Sequence, residues 1–295
     1  MRTSTKEVVN PVMAGKIVLI MPNLTKPNTA DLMKQIIATL LKSGCRPVLD
    51  KRFAGQFPGA AYGPFNEVIA GCDFVVTVGG DGTILHSAKH AVNYDKPLLG
   101  INTGRLGFLA QVEANEIDLL LRLSIGNYLV HEYMLLEVSI GDEKTTRYAV
   151  NDVVISKGEQ SRLVDLDIEE SGESIGSYRA DGLIFATPLG STAYSMSAGG
   201  PIVNPSINTI IFTPICPHSL YDRTVLLSSD MKLQVRSRYI NNSDNVVVSV
   251  DGERIALLDE NKSVHIRKAQ KSVRFIGFPE KNFNSILSNK LKSRG

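Results

Sequence analysis

The sequence contains no tryptophan and only three cysteines in 295 residues. The cysteines are odd in number and far apart, so none forms the Cys-x-x-Cys pair that a zinc knuckle or a redox dithiol needs. They are Cys45, Cys72 and Cys216. Cysteine usage of this kind is typical of a reducing compartment, and we expect the chain to work in the cytoplasm.

Long apolar runs and a strong charge of either sign are also absent. The first apolar run, Ile17 to Met21, is much shorter than the core of a signal peptide. No run approaches the roughly 18 apolar residues of a membrane span. The 32 Lys and Arg residues nearly balance the 30 Asp and Glu residues, leaving a formal net charge of +2. We therefore expect neither nucleic acid nor a membrane as a partner.

The first half of the chain alternates short apolar runs with helical periodicity. From Leu32 to Leu41 the apolar residues follow the spacing of an amphipathic helix, which Gly44 would end. Strands that alternate with helices predict βαβ units and a parallel sheet. The predicted strands are residues 16–21, 46–50, 73–78 and 97–102, and two further helices are predicted at 83–92 and 114–123.

From about Tyr128 the apolar residues alternate with polar ones, which predicts strands without intervening helices. Turn sequences separate these strands, as in an antiparallel sandwich. They are residues 141–142, 171–172, 241–242 and 251–252, and the strands predicted beside them include residues 224–227, 246–250, 264–266 and 273–275. We predict an α/β N-terminal domain with a Rossmann-like parallel sheet and a C-terminal all-β sandwich. The expected limits are 1–126, 127–270, and a tail over 271–295 that packs back on the N-terminal domain.

A glycine loop, Gly79-Gly80-Asp81-Gly82-Thr83, follows an apolar strand and opens a predicted helix. Glycines allow close approach of the backbone, and free N–H groups at a helix start favour phosphate. An aspartate there would repel phosphate, so its presence suggests a chemical task, such as taking a hydroxyl proton during phosphoryl transfer. A tight Asp-Gly turn is the alternative, and the loop alone does not decide between them. Neither the Walker pattern nor Gly-x-Gly-x-x-Gly is present.

Three further segments accompany this loop: Asn102-Thr-Gly-Arg-Leu-Gly-Phe108, Asn151-Asp-Val-Val, and a block from Arg179 to Pro201 that contains Thr-Ala-Tyr. In this order and spacing they resemble the motifs of the NAD kinases. That family belongs to a superfamily with diacylglycerol and sphingosine kinases and the phosphofructokinases. The resemblance covers about residues 16 to 285. Many members carry Asn-Glu where this chain has Asn151-Asp152.

The resemblance implies transfer of the terminal phosphoryl group of ATP to the adenosine 2′-hydroxyl of NAD, giving NADP, with a divalent metal such as Mg²⁺. It implies that Asp81 is the general base. It also implies a homo-oligomer, a dimer or a tetramer, in which a neighbouring subunit completes the site between the two domains.

The same resemblance implies which residues bind the nucleotides. We expect the glycine loop to bind through Gly79, Gly80, Asp81, Gly82 and Thr83, and the dinucleotide to contact Phe108, Asn151 and Asp152 as well. The adenine and ribose pocket is expected to contain Thr192, Ala193, Tyr194 and Ser197. Phosphate or cross-subunit contacts are expected from Arg162, Arg179 and Asp181, and Glu253 stands where the family usually has a polar residue near the ligand.

Several of these residues also have a purely structural interpretation. Asn151 could cap a turn, and Asp181-Gly182 could turn a hairpin. His86 and His90 could present two metal ligands on one helix face, but no third ligand is evident nearby, so a solvated face is favoured and no protein metal site is predicted. Two other functions stay open: a lipid kinase that shares the glycine loop, and a protein that senses NAD(P) without turnover.

Overall fold

The computed structural model describes residues 15–104, 107–141, 145–158, 162–238, 246–259 and 262–292, with the backbone alone at 289–292. Two of the predicted turns, at 141–142 and 241–242, lie partly or wholly outside these residues. So do Arg105 and Leu106 of the motif that ends at Phe108.

The N-terminal half contains five parallel strands. They are β1 (Ile17–Pro22), β2 (Arg46–Asp50), β3 (Ala61–Gly63), β4 (Phe74–Gly79) and β5 (Leu98–Asn102). The helices between them are α1 (Thr29–Lys42), α2 (Phe65–Gly71) and α3 (Asp81–Asn93). Helix α1 covers one face of the sheet and α2 and α3 cover the other, so β4 and β5 are buried throughout. Their continuous apolar sequences follow from this double burial.

The parallel strands are ordered β5-β4-β1-β2-β3. From β1 the chain adds β2 and β3 on one side, and then returns to add β4 and β5 on the other side of β1. The strand order therefore reverses between β1 and β4. Ligands of open α/β sheets bind in the crevice at the carboxyl ends of the strands at such a point. The glycine loop follows β4 at this edge of the sheet.

The C-terminal half is made mainly of antiparallel strands. The short β6 (Val112–Glu113) precedes them, and in chain order they are β7 (Leu129–Ile140), β8 (Arg147–Ala149), β9 (Asp152–Lys157), β10 (Val164–Glu170), β11 (Glu173–Ala180), β12 (Gly182–Ala186), β13 (Thr209–Ile215), β14 (Val225–Ser228), β15 (Leu233–Ser237), β16 (Val246–Val250), β17 (Glu253–Leu258) and β18 (Ser263–Gly277). The short β6 still belongs to the parallel sheet, beside β5. Helices α4 (Tyr194–Ser197) and α5 (Phe283–Lys292) complete the chain.

Six of these strands form a sheet ordered β14-β13-β12-β9-β16-β17. Its inner face packs against strands β7, β10, β15 and β18 of the larger sheet. Phe185 and Phe212 from one layer and Val138 and Leu166 from the other belong to the same buried cluster. Alternate residues of each strand point into this layer, which explains the period of two in the sequence.

Strand β18 connects the two halves of the molecule. Its first residues pair with β15, and most of its residues pair with β7. Near its end, Phe275 lies opposite Leu98 of β5. The larger sheet is therefore continuous from the sandwich into the parallel strands. The expected domain limit at 270 falls within this strand, and just beyond it Ile276 and Phe278 belong to the N-terminal core.

Three local predictions were wrong. The helix predicted at 114–123 is a shorter 3-10 helix, Ile117–Arg122. The strands predicted at 264–266 and 273–275 are one strand, β18, because an irregular register against β7 interrupts its apolar alternation between Lys268 and Ser272. Strand β3 and helix α2 were missed, since both are short and only Ile69 of α2 is buried. Among the described residues, no helix is both long and apolar enough to cross a membrane.

Candidate active site

The glycine loop makes a tight turn from β4 into α3. A Cβ atom on Gly79 would lie 2.6 Å from Oγ1 of Thr83, so this turn requires a glycine. Oγ1 of Thr83 also accepts a hydrogen bond of 3.0 Å from the side-chain amide of Asn23, which follows β1. The loops after β1 and β4, which flank the switch point, are therefore tied together.

Asp81 is the first residue of α3, and its side chain is half-buried. Its Oδ2 accepts the backbone N–H of Phe108 at 2.8 Å, and its Oδ1 accepts that of Leu109 at 3.2 Å. A Cβ atom on Gly107 would lie 2.0 Å from Oδ1, so the glycine lets this loop approach. The carboxylate is thus held in one orientation, and each oxygen can accept more than one hydrogen bond.

Asn102 holds the loop that approaches Asp81. Its side-chain amide donates to the carboxylate of Glu113 at 2.9 Å and to the carbonyl of Gly104 at 3.2 Å. Its side-chain oxygen accepts the N–H of Gly104 at 3.1 Å. Asn102 is itself buried, so it shapes the motif from within.

Asn151 lies in a loop whose backbone is fixed on two sides. Its N–H donates to Oδ1 of Asp251 at 2.7 Å, and its carbonyl accepts the N–H of Thr187 at 2.8 Å. A Cβ atom on Gly190 would lie 2.1 Å from the carbonyl oxygen of Asn151, so the block after β12 packs directly against this loop. The side chain of Asn151 is half-exposed.

Asp152 is only 5% exposed. Burial, followed by the nearby carboxylate of Asp251, raises the pKa of Asp152 from 3.8 to about 7, against the opposing effect of a hydrogen bond from the N–H of Tyr194. Burial also raises the pKa of Asp251, although three backbone N–H groups favour its charged form. Two carboxyl groups therefore share a poorly solvated position beneath the Asn151 loop.

The Thr-Ala-Tyr block is anchored from below by buried hydroxyl groups. The hydroxyl of Thr187 donates to the carbonyl of Val150 at 2.6 Å, which joins the block to the Asn151 loop. Its upper face is accessible: Thr192 and Ala193 are half-buried, whereas Tyr194 and Ser197 are exposed. An exposed tyrosine above a rigid loop suits contact with a planar ring.

Glu253 joins the two halves of the site. Its carboxylate lies 3.0 Å from Nζ of Lys89, which projects from α3, the helix that Asp81 begins.

The remaining predicted residues have other contacts. Arg162 is exposed, Nε of Arg179 lies 4.0 Å from Asp165, and Asp181 pairs with Lys157 at 2.5 Å.

The predicted residues thus form two groups, one at Asp81 with the glycine loop and Phe108, and one at Asn151, Asp152 and the Thr-Ala-Tyr block. In the described part of the chain, no recorded contact joins Arg162, Arg179 or Asp181 to either group. Sequence reasoning missed Asp251, which it read as a turn residue. An Asp-Gly turn signal does not reveal where the carboxylate points.

The two histidines of α3 pack against each other, with ring centroids 5.1 Å apart, and His90 also meets Phe65 edge to face at 4.9 Å. Burial, and then His86, lowers the pKa of His90. Within the ranges that the structure describes, no three His, Cys, Asp or Glu side chains are grouped so as to hold a metal ion.

A parallel α/β sheet with a glycine loop and a fixed carboxylate at its carboxyl edge, joined to a β-sandwich that presents a second polar loop, defines a two-domain nucleotide-binding phosphotransferase. Two family models match the chain: the ATP-NAD kinase N-terminal domain over residues 18–127 and the ATP-NAD kinase C-terminal domain over residues 150–278. The chain belongs to the ATP-NAD kinase family.

Individual relatives agree with these matches. The chain is 34% identical over 284 residues to an NAD kinase of Caldanaerobacter subterraneus subsp. tengcongensis, covering 95% of this chain and 100% of the relative. It is 40% identical over 237 residues to an NAD kinase of Magnetococcus marinus, covering 79% and 77% of the two chains.

Solved structures are also similar. Yeast NADH kinase complexed with NADH superposes with a TM-score of 0.84 at 26% identity, covering 95% of this chain and 88% of that one. An NAD kinase from Archaeoglobus fulgidus in complex with ATP gives a TM-score of 0.72 at 25% identity, covering 95% and 100%. The predictions of the family, of an α/β domain with a β-sandwich, and of NAD kinase activity are confirmed, and neither the lipid kinase nor the sensor is favoured.

Proposed function

We propose that the chain transfers the terminal phosphoryl group of ATP to the adenosine 2′-hydroxyl of NAD, giving NADP and ADP, with Asp81 as the general base. The observation that carries this proposal is the Asp81 carboxylate, held by the N–H groups of Phe108 and Leu109 at the start of α3. A ribose hydroxyl is a weak nucleophile near neutral pH. A positioned carboxylate that takes its proton accelerates the transfer by roughly 10²- to 10⁴-fold.

The ATP donor fits the carboxyl edge of the parallel sheet. The start of α3 favours its phosphates, because the positive end of a helix dipole lies there. A cavity of about 220 Å³ adjoins this helix and includes Pro22, Arg52, Thr83, His86 and His90 in its lining. Its arginine and aromatic rings suit a nucleotide, which combines anionic phosphates with a planar base.

The NAD acceptor fits the sandwich side of the site. Asn151 and Asp152 provide amide and carboxyl groups for the ribose hydroxyls, while Thr192, Ala193, Tyr194 and Ser197 line the pocket for adenine and ribose. This assignment is supported by the rigid backbone under Asn151 and by the exposed ring of Tyr194, 46% of whose surface is accessible. By resemblance, many NAD kinases carry a glutamate at the position of Asp152, and the carboxylate of the shorter aspartate can accept hydrogen bonds from the same ribose hydroxyls.

A divalent metal, Mg²⁺, is part of the proposed reaction. Mg²⁺ usually keeps several waters and binds substrate phosphates together with one or two carboxylates. The residues present fit that pattern, since Asp81 is a carboxylate beside the proposed phosphate position. When bound, the ion would neutralise phosphate charge during transfer.

We also propose a homo-oligomer, a dimer or a tetramer, in which a neighbouring subunit completes the site. Support comes from apolar side chains exposed on strand β14 and on the loop before it. Leu220 and Tyr221 are 82% and 91% exposed, and Val225 and Leu226 are 44% and 53% exposed. Exposed apolar patches of this kind mark protein contacts. Arg162, Arg179 and Asp181 would then act across the subunit boundary.

The cytoplasm is the proposed site of action, without nucleic acid or a membrane as a partner. This location is supported by the cysteines, which are all free and of which Cys45 and Cys72 are buried. Burial raises the pKa of both buried thiols, which keeps them in the unreactive protonated form.

The test is NADP formation by the purified chain from ATP, Mg²⁺ and NAD, measured with an NADP-specific dehydrogenase. We expect NADP only when all three are present, and little from Asp81→Asn. Incorporation of phosphate into diacylglycerol or sphingosine, with none into NAD, would reverse the assignment. Binding of NAD without NADP formation would favour the sensor.

A further inference from the structure

The turn between β16 and β17 places a carboxylate in an unusual position. Asp251 and Gly252 form this hairpin turn with φ angles of 50° and 79°. Both lie in the left-handed region, which matches the two-residue hairpin turns that favour Asp-Gly and Asn-Gly. Side chains at such turns are normally solvated, but Asp251 is only 9% exposed.

The buried carboxylate accepts three successive backbone N–H groups from a segment about 100 residues earlier in the chain. Oδ2 accepts the N–H of Val150 at 3.0 Å, and Oδ1 accepts those of Asn151 at 2.7 Å and Asp152 at 3.2 Å. In return, the N–H of Asp251 donates to the carbonyl of Asp152 at 2.9 Å. Four hydrogen bonds therefore fix the backbone of residues 150–152 to one side chain and its own peptide.

A second hairpin of the molecule shows that the turn itself does not require this arrangement. Ser171 and Gly172, between β10 and β11, have φ angles of 54° and 91°. Ser171 is exposed, and its hydroxyl donates only to the adjacent Glu170 at 2.9 Å. The same turn conformation is thus made without an inward side chain, so the carboxylate of Asp251 has a separate task.

We propose that Asp251 is a positioning residue for the acceptor nucleotide: its carboxylate holds the backbone of residues 150–152 so that the side chains of Asn151 and Asp152 face NAD. The inference rests on the proposed function, in which those two residues bind NAD. The same turn reaches the donor side, since Glu253 pairs with Lys89 of α3 at 3.0 Å.

Only a carboxylate suits this position. An ionised carboxylate accepts hydrogen bonds at both oxygens and donates none, whereas an asparagine amide offers one acceptor and directs its NH₂ group at the remaining N–H donors. Asparagine adopts the left-handed conformation as readily as aspartate, and Asn-Gly is a preferred sequence for this turn. Asp251→Asn therefore keeps the turn and removes the proposed task.

The experiment compares the full-length wild type with Asp251→Asn and with Ser171→Asn, which makes the same kind of change in the other hairpin. The measurements are KM for NAD, KM for ATP, kcat and the thermal midpoint. In Asp251→Asn, buried backbone N–H groups of residues 150–152 lose their acceptor. A loss of this kind corresponds to a factor of roughly 5 to 150 in an equilibrium constant, here that of NAD binding. We expect KM for NAD to rise within this range in Asp251→Asn, with KM for ATP within about twofold of the wild type. Ser171→Asn should match the wild type throughout.

A double variant shows whether Asp251 acts through Asn151. If it does, Asp251→Asn and Asn151→Ala should raise KM for NAD by less together than the product of their separate effects. A folded Asp251→Asn with wild-type KM for NAD overturns the proposal, as does an equal rise in both KM values.

If Asp251→Asn does not fold, the same measurements are made on Asp251→Gly, which also keeps the left-handed turn. If neither variant folds, the carboxylate serves the fold and the proposal is wrong. Calorimetric titration with NAD keeps this test separate from the proposed function. Were the wild type to bind NAD without forming NADP, a weaker dissociation constant in the variant would still support Asp251, while the kinase assignment alone would fail.

Discussion

The carboxyl groups of Asp81 and Asp152, one on each side of the candidate site, lie in opposite surroundings. Asp81 begins a helix at a sheet edge, is half-buried, and accepts the N–H groups of Phe108 and Leu109. Asp152 is 5% exposed, accepts the N–H of Tyr194, and faces a second carboxyl group, Asp251, within the sandwich. Solvent reaches Asp81, whereas burial beside another acid raises the pKa of Asp152 and disfavours its charged form.

This difference teaches that two acids of one site are suited to different tasks. The proposed function gives the accessible Asp81 the role of proton acceptor for the incoming hydroxyl. It gives the buried Asp152, beside the rigid backbone of Asn151, a role in recognising the acceptor. Five experiments can break or sharpen this comparison.

The largest effect is expected for Asp81→Asn. The amide has nearly the same shape but cannot take a proton, so kcat should fall by roughly 10²- to 10⁴-fold, with the fold kept. Steady-state kinetics on purified protein, checked by circular dichroism, measures this loss. Asp118→Asn changes an exposed acid of the 3-10 helix Ile117–Arg122 and should leave kcat unchanged. Wild-type turnover in Asp81→Asn would remove the base assignment.

The next effect is expected for Asn151→Ala, which deletes a polar contact to NAD. A lost contact of this kind costs about 1 to 3 kcal/mol, so the dissociation constant for NAD should rise roughly 5- to 150-fold by calorimetry. Asn66→Ala, at an exposed position of α2, is the matched control. An unchanged dissociation constant would return Asn151 to the role of a turn residue.

The pH dependence should separate Asp152 from Asp81. Because burial raises the pKa of Asp152 to about 7, acidification below pH 7 protonates it. A protonated carboxyl group accepts ribose hydroxyls less well, so the dissociation constant for NAD should rise by up to about tenfold per pH unit as the pH falls. Asp152→Asn should flatten this profile. A wild-type profile that is already flat between pH 6 and about 8 would contradict the assignment.

The stability of the fold should decrease as the pH rises, whereas NAD binding should strengthen. The folded pKa of Asp152 is raised above the unfolded value, so the folded state holds the extra proton between about pH 4 and about pH 7, and the free energy of unfolding falls as the pH rises through this window. Asp152→Asn removes this cost. By denaturant unfolding it should be more stable than the wild type at pH 8 by on the order of 4 kcal/mol, and similar to it near pH 4.

The smallest effect is expected for Arg179→Gly. By resemblance, this position is bulky and polar in strict NAD kinases and glycine in permissive ones. We expect a preference for ATP over polyphosphate and for NAD over NADH, which the variant relaxes by a few-fold in the ratio of kcat/KM. The effect is expected to be small because the Arg179 side chain is 64% exposed and its ion pair with Asp165 is long, at 4.0 Å. Arg236→Gly, on strand β15, is the control.

If the wild type already uses polyphosphate or NADH as readily as its expected partner, Arg179 does not control the choice. An unchanged ratio in Arg179→Gly would give the same answer. A change that appears only at protein concentrations where the subunits associate would favour a role across the subunit boundary.

Much of the fold could be predicted because local patterns and tertiary burial agree. Strands β2 and β16 match their predicted limits, since apolar runs bounded by turn residues coincide with buried strands. Helix α1 follows from one apolar face. Prediction failed where the pattern is short or interrupted, as in α2, whose single fully buried residue, Ile69, leaves no period to detect.

The sequence by itself determined which chemical groups are present and in what order. Apolar periodicity divides the chain into a parallel α/β half and a sandwich, and the glycine loop with its companion motifs identifies the family. These features are local, because a helix face, a strand face and a tight glycine turn each depend on residues close together in the chain.

Only the tertiary structure decided how those groups behave. It made β18 one strand that carries the larger sheet from the sandwich to β5, and it directed a turn aspartate, Asp251, at the N–H group of Val150, 101 positions earlier. It also buried Asp152 beside that second acid and so raised its pKa to about 7. Solvation and long-range hydrogen bonding are set by neighbours far apart in the chain, which no local pattern contains.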